Sequence, residues 1–559
     1  MTSMAASGWT QQDGQWYYYN NSGDYVTDTW KKSGNSYFYL GDDGAMLTNA
    51  LIEDGDDYYY VDGNGAMVKS QWIQIADDDD EDLGVDYRWY YFGPTGRAYT
   101  SDSSEVQKKT INGKKYAFDE DGKMLFGFVD DGGSIADADD NDAILNSTYY
   151  FGTNEDGAMH TGWLNYTEGV DDDTYDEEKF NDGNSLWFYY NTSTGKKTID
   201  NASKKINGYK YAFDGNGVMQ PEWYAASNNI SATSQKYFST TDEGWQKKNT
   251  WVWAIPSEEM ADVADPDVAA DVMSDHDDDS YSWFYVDNEG KRRADSTKKI
   301  NGKWYAFDEA GRAKDGFVVL DRDRVNNAEY VAQFDTDDVS KEDLLNDYVL
   351  NVATDKKKYQ GDNFEPEKAT LFYFSDDAET DGAMKTGDTV KIDLADDTYT
   401  FGFEDDGSAK EGIDKNDKLY VAGILMDAGS DRYVAVSYKK NVFVTNTSGK
   451  IQKAKASVKD DNGDYYAVVK AGKNVSDENP EETLVYWVDG SDDNASKIAS
   501  AVAKKDKVRL DNYGLGVGEE NDNEDKATYD FSKQDVLNAF EGAGLIQKLT
   551  AVSDGFDAE

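Results

Sequence analysis

The chain has 559 residues, enough for several ordinary domains, yet only 38% are hydrophobic while 14% are aromatic, with 40 Tyr, 23 Phe and 14 Trp beside 49 Gly. That balance excludes a core of the usual Leu, Ile and Val kind, and the aromatic content excludes simple disorder. Its 56 basic and 111 acidic residues give a formal charge of −55, which excludes nucleic acid and anionic membrane surfaces as partners.

Taken in chain order, residues 1–7 read as the remnant of a secretion leader, small residues ahead of Gly8-Trp9. Self-similarity then begins. GQWYYYNNSGDYV at 14–26, GNSYFYLGDDGAML at 34–47 and GDDYYYVDGNGAMV at 55–68 are one unit, with Gly23, Gly44 and Gly65 each 21 residues apart. Each unit holds three consecutive aromatic or near-aromatic residues, a polar turn ending in glycine, and a short strand. Asp/Asn-Gly between β-prone runs signals a hairpin, because the turn requires positive φ. A single hairpin is marginal in water, so these units make sense only as an array that buries aromatic faces between neighbours.

A longer period overlies the first. KKTINGKKYAFDEDGKM (108–124), KKINGYKYAFDGNGVM (204–219) and KKINGKWYAFDEAGRA (298–313) are the same element, with Gly113, Gly208 and Gly302 95 and 94 residues apart. Partner elements precede them at Trp89, Trp187 and Trp283, so a block of about four hairpins is duplicated. Acidic insertions at Asp77–Asp82, 130–144, Val170–Asp182 and Ser257–Ser280 are placed between hairpins as solvated loops, two of them with room for short helices. The predicted class is all-β: a solenoid of tandem hairpins over 8–318, then an insertion at 319–370 with a helix at Lys341–Leu350 capped by Ser340. Degenerate hairpins at 371–475 and a small α/β or mixed C-terminal module at 476–559 complete it. That module carries helices at Ala495–Lys504 and after Ser532, the latter with Asp535 as capping partner.

Chemistry is sparse. With no Cys there are no disulfides or thiolate sites, and the two histidines, His160 and His276, support neither a zinc site nor a Ser-His-Asp triad. The run at 137–142 has the early acids of an EF-hand but Asp142 where glycine is required. With 111 acidic residues, carboxylate pairs carry no information about glycoside hydrolysis. No catalytic residue, metal or cofactor is expected, the protein is not expected to be an enzyme, and no stretch is apolar for long enough to insert in a membrane.

Gly8-Trp9, Trp16-Tyr17-Tyr18, Gly23 and the GAMHTGW run at Gly157–Trp163 resemble the cell-wall-binding repeat family of Gram-positive bacteria, also called choline-binding or glucan-binding repeats. The resemblance implies a left-handed β-solenoid with aromatic sites between successive units, caging trimethylammonium in some members and stacking on sugars in others. Carried onto this sequence, it implies one site at Trp9, Trp16 and Tyr39, a second at Trp30, Tyr37 and Tyr60, and a further candidate at Trp163. Leu51 and Phe128 stand where the pattern has the tryptophan of Gly-Trp, and Trp72 follows Gln71 rather than glycine. The implied partner is choline-bearing teichoic acid or a glucan, and the implied location secreted or wall-associated. The competing expectations are a surface adhesin for host proteins or glycoproteins, and a structural surface-layer or filament component.

Overall fold

The computed structural model describes residues 7–77, 83–101, 103–167, 175, 186–225, 235–255, 281–308, 310–321, 330–334, 339–345, 369–375, 382–387, 389–472, 483–515 and 529–551. The chain forms two compact units, Met1–Asn229 with Lys236–Lys247, and Ile230–Gln235 with Lys248–Glu559.

The first unit is a stack of two-stranded antiparallel hairpins. It opens with β1 (Gly8–Gln12) and β2 (Gln15–Tyr19), β3 (Thr29–Ser33) and β4 (Ser36–Leu40), β5 (Ala50–Asp54) and β6 (Asp57–Val61). Next come β7 (Gln71–Ala76) with β8 (Tyr87–Phe92), and β9 (Lys108–Ile111) with β10 (Lys114–Ala117). The β1–β2 hairpin closes at Asp13-Gly14, both left-handed (φ 52° and 87°), the type I′ geometry that matches the twist of paired strands. The glycines of the 21-residue period stand, as expected, in the turn that follows the aromatic run. Gly23 and Gly44 sit in a second turn after the aromatic strand, which folds the chain back to single bridge pairs, Tyr19 with Tyr25 and Leu40 with Met46. That returning residue also bonds to the preceding hairpin: Met46 N–H donates to the Trp16 carbonyl at 2.7 Å, and Met67 N–H to the Tyr37 carbonyl at 2.8 Å. These bonds join one hairpin to the next.

Opposed residues share a face. In the second hairpin Trp30 opposes Tyr39 and Lys32 opposes Tyr37 on the front, while Lys31 opposes Phe38 and Ser33 opposes Ser36 on the back. The back of each hairpin meets the front of the one before, as Lys31 Nζ, 5.5 Å from the Tyr18 ring centre, shows.

The acidic insertions do not lie between hairpins, as the sequence suggested, but within them, at the tips. Asp77–Asp82 separates β7 from β8, and 130–144 separates the pair Phe128–Val129 and Tyr149–Tyr150. Val170–Asp182 and Ser257–Ser280 likewise divide Gly162–Tyr166 from Leu186–Tyr190 and Thr250–Ala254 from Ser282–Val286. Extra residues at a tip leave register and stacking untouched, and lengthening a loop costs little. One insertion carries a helix, Asn141–Asn146, whose N-cap Asp140 accepts from Ala143 N–H. Residues 78–82 and 256–280, with His276, lie outside the described residues, as does the Val170–Asp182 run apart from Tyr175.

The second unit begins with hairpins of the same kind and broadens. A three-stranded sheet centred on Gly316–Asp321 and a five-stranded sheet over Thr389–Leu425 share a core of Phe317, Leu371, Phe401 and Ile424. Ser340 starts the expected helix. Its Oγ accepts from Asp343 N–H and Asp343 accepts from Ser340 N–H, both at 3.1 Å, a reciprocal cap; residues 346–350 lie outside the described set. The helix Ala495–Lys504 packs with Gln534–Gly542 over a core that includes Tyr486, Val502 and Phe540. The predicted Ser532–Asp535 cap is not formed: Lys533 is the N-cap, and Ser532 N–H instead bonds Asp530. No helix among the described residues is long and apolar enough to cross a membrane.

Candidate functional site

The first inter-hairpin junction is hollow. A cavity of about 260 Å³ is lined by Trp9, Trp16, Ser33, Phe38, Met46 and Asn64. For scale, an apolar cavity of roughly 150 Å³ holds a benzene ring. Trp9, on β1, is held edge-on between Tyr18 of its own hairpin and Phe38 of the next, ring centres 5.4 Å from each. Trp16, on β2, is 41% exposed and forms the open wall. Met46 forms the floor, fixed by its backbone bond to Trp16 and seated against Gly65, where a Cβ would come within 2.6 Å of its terminal methyl. No charged side chain lines the cavity. An aromatic box with a thioether floor attracts a cation through ring quadrupoles, and its two polar lining residues, Ser33 and Asn64, carry no charge.

Of the first predicted triad, Trp9 and Trp16 meet at this cavity and Tyr39 does not. Tyr39 lies on the front of its own hairpin against Trp30, centres 5.1 Å apart, while Phe38, on the back, supplies the third wall. Burial, then Asp28 and Asp54, push the Tyr39 phenol above its ordinary pKa, so it stays neutral there. The second triad shows the same one-residue offset. Trp30 faces Tyr59, at 5.3 Å, whereas Tyr60 packs on Phe92 at 6.0 Å. Tyr37 carries two resident cations, Lys69 Nζ at 5.0 Å and Lys32 Nζ at 5.6 Å from its ring centre. Trp163 sits at a third junction of this type, 4.8 Å from Tyr211 and 5.8 Å from Phe213, with Met219 and Ile206 buried beside it. Phe38, Met46, Ser33 and Asn64 were missed by sequence reasoning. The methionine in the repeated Gly-Ala-Met was the available signal.

One junction replaces the methionine with a lysine. Lys197 N–H bonds the Thr148 carbonyl at 2.8 Å, as Met46 does Trp16, and its Nζ donates to the Leu145 carbonyl at 2.6 Å, 5.2 Å from the Phe188 ring centre. Burial pushes this ammonium down to about 7, Asp214 opposing the shift. An unfolded lysine titrates near 10.4, so between the two values the unfolded chain holds more protons and stability should rise with pH. Lys197→Met is expected to stabilise the protein at pH 7 by on the order of 4 kcal/mol at most. It should also flatten the rise between pH 7 and 10, checked by urea unfolding across that range.

Residues 6–51, which include this first cavity's Trp9, Trp16, Ser33, Phe38 and Met46, match the choline-binding repeat family. Residues 6–51 carry choline-binding repeats. Solved structures similar to it include the modular autolysin LytC of Streptococcus pneumoniae, 16% identical, with 56% of this chain and 54% of LytC covered at a TM-score of 0.30. The choline-binding domain of CbpL from the same organism is 21% identical, covering 44% of this chain and 100% of that one at a TM-score of 0.28. Choline-binding protein F, also from Streptococcus pneumoniae, is 17% identical, covering 75% and 99% at 0.28. The chain thus spans about half the length of LytC. No curated protein matches it in sequence. No group of three or more His, Asp or Glu placed to hold a metal occurs among the described residues.

Proposed function

We propose that this protein is an extracellular, non-catalytic binding protein that attaches to choline-bearing teichoic acid of a Gram-positive cell wall. The quaternary ammonium enters the junction of Trp9, Trp16, Phe38 and Met46. The observation that carries this reading is the uncharged aromatic cavity within the residues that match the choline-binding repeat. Three rings at about 0.5–2 kcal/mol each supply a useful affinity for a ligand that needs no hydrogen bond. The chain's charge of −55 raises the local concentration of cations and does not compete inside the box.

A second reading, glucan binding, is favoured by one observation in the other unit. Trp253, Tyr281 and Trp283 are each about half exposed, and the rings of Trp253 and Tyr281 lie within 16° of parallel. A ring surface of that kind suits the flat face of a sugar. The test is parallel chromatography on choline resin, dextran and starch. Retention on choline resin with elution by free choline is expected. Passage through choline resin, with retention on a glucan that Trp253→Ala plus Trp283→Ala abolishes, would replace the first reading with the second.

A further inference from the structure

The hollow beside Trp9 depends on the residue that ends the first strand of the following hairpin. Ser33 ends β3, opposes Ser36 across the turn, and lines the cavity from the back face. In the three repeated hairpins of the longer period the same place is held by isoleucine. Ile111 opposes Lys114, Ile206 opposes Tyr209 and Ile300 opposes Lys303, each the last residue of its strand. All three are 5% exposed or less.

Around Ile111 and Ile206 stand aromatic walls and a methionine equivalent to those of the open junction, and around Ile300 two of the walls. Ile111 packs in one cluster with Trp72, Trp89, Tyr116 and Met124. Ile206 does so with Trp163, Trp187, Tyr211 and Met219. In the second unit Ile300 clusters with Trp251 and Tyr305. The correspondence extends to geometry: Trp72–Tyr116, Trp163–Tyr211 and Trp251–Tyr305 ring centres lie 4.9, 4.8 and 4.9 Å apart, edge-to-face, as Trp9–Phe38 are at 5.4 Å. Backbone bonds repeat too, Met124 and Met219 N–H donating at 2.8 Å to the Trp89 and Trp187 carbonyls. A branched sec-butyl group has a breadth close to that of a trimethylammonium head and no charge to solvate, so it fills the box as a permanent apolar occupant. The same walls that would cage a ligand then bury a side chain, at a gain in stability.

We infer that Ile111, Ile206 and Ile300 are built-in plugs that turn three cage-type junctions into packing joints, and that Ser33 keeps the Trp9 junction open. The residue at this one place decides whether a junction binds or only packs. The inference rests on the reading above only for the identity of the ligand.

The full chain is titrated with choline by calorimetry, with thermal unfolding in parallel. Ser33→Ile should lower affinity at the Trp9 junction at least tenfold and hold or raise the thermal midpoint. Ile206→Ser should add one equivalent of bound choline and lower the midpoint by several degrees; Ile206→Ala serves the same purpose if the serine variant unfolds. Unchanged choline affinity in Ser33→Ile overturns the inference, as does a folded Ile206 variant that gains no equivalent. If the wild-type chain binds no choline, the proposed function fails. The plug is then decided by the midpoints, and a fall in Ser33→Ile, which would mean overpacking rather than filling, overturns it.

Discussion

Trp9→Ala combined with Trp16→Ala should weaken choline binding by about fivefold or more while leaving the far-ultraviolet dichroism spectrum close to wild type. Each ring contributes about 0.5–2 kcal/mol to a caged cation, so losing two costs about 1–4 kcal/mol, and 1.4 kcal/mol is a factor of ten. The rings line an open cavity and Trp16 is 41% exposed, so their removal disturbs binding more than packing. Single substitutions sharpen the assignment of the third wall. Phe38→Ala should weaken binding and Tyr39→Ala should not, because Phe38 faces the cavity and Tyr39 faces Trp30. Calorimetric titration of the three variants decides it, and equal affinity in wild type and double variant would remove the site.

In the second unit, Asp308→Ala should destabilise the fold by about 3–5 kcal/mol, the largest effect expected of any single substitution. Asp308 is 2% exposed and accepts from Arg312 Nε at 2.8 Å and Lys314 Nζ at 3.2 Å, both of them buried. It also closes its own turn by accepting Arg312 N–H at 2.8 Å. Alanine strips the carboxylate from between two buried cations. Burial alone would push the Asp308 pKa up, but Lys314 and Arg312 outweigh it and hold the carboxyl below its ordinary value. The sign follows: the stability it contributes is fully present above the unfolded value near 3.9 and is lost as pH falls through the lower folded value. Urea unfolding at pH 7 measures the loss. Asp308→Asn, which keeps the shape, should lose the acid-side dependence.

Much of this fold was legible because its turns are chemically marked. Repeated Asp/Asn-Gly and Gly-Ala-Met placed the hairpins, and the 95-residue period correctly singled out the hairpins of Gly113, Gly208 and Gly302 as one type. What the repeat did not reveal was which face of each strand meets which neighbour. Three consecutive aromatics alternate sides, so Tyr37 and Tyr39 face forward while Phe38 faces back. A one-residue error in the third wall therefore exchanges one junction for the next. The insertions were misplaced for a related reason. Nothing local distinguishes a long tip from a long connection, and only the pairing of Trp163 with Tyr189, or Trp251 with Tyr285, shows that the chain returns to the same hairpin. The Ser532 cap failed because Asp530, two residues earlier, accepts the Ser532 N–H first.

The second turn of each repeat has a bearing on the chain's acidity. Asp62 accepts the N–H of Asn64 and Ala66 at 2.8 and 2.9 Å, and Asp287 and Asp414 hold their turns in the same way. Asn20 and Asn446 occupy the same role with the same bonds and no charge, and Asn191 does so in a turn where it accepts from Ser193 and Thr194. At these repeats the acceptor oxygen does the same work charged or neutral, and Gly41 and Gly93 hold the equivalent place with backbone bonds alone. Geometry and charge are separable here, one atom setting the bend while its neighbour sets the field. Exchanging aspartate and asparagine at these turns would retune the electrostatic surface in unit steps while the hairpins stay in register.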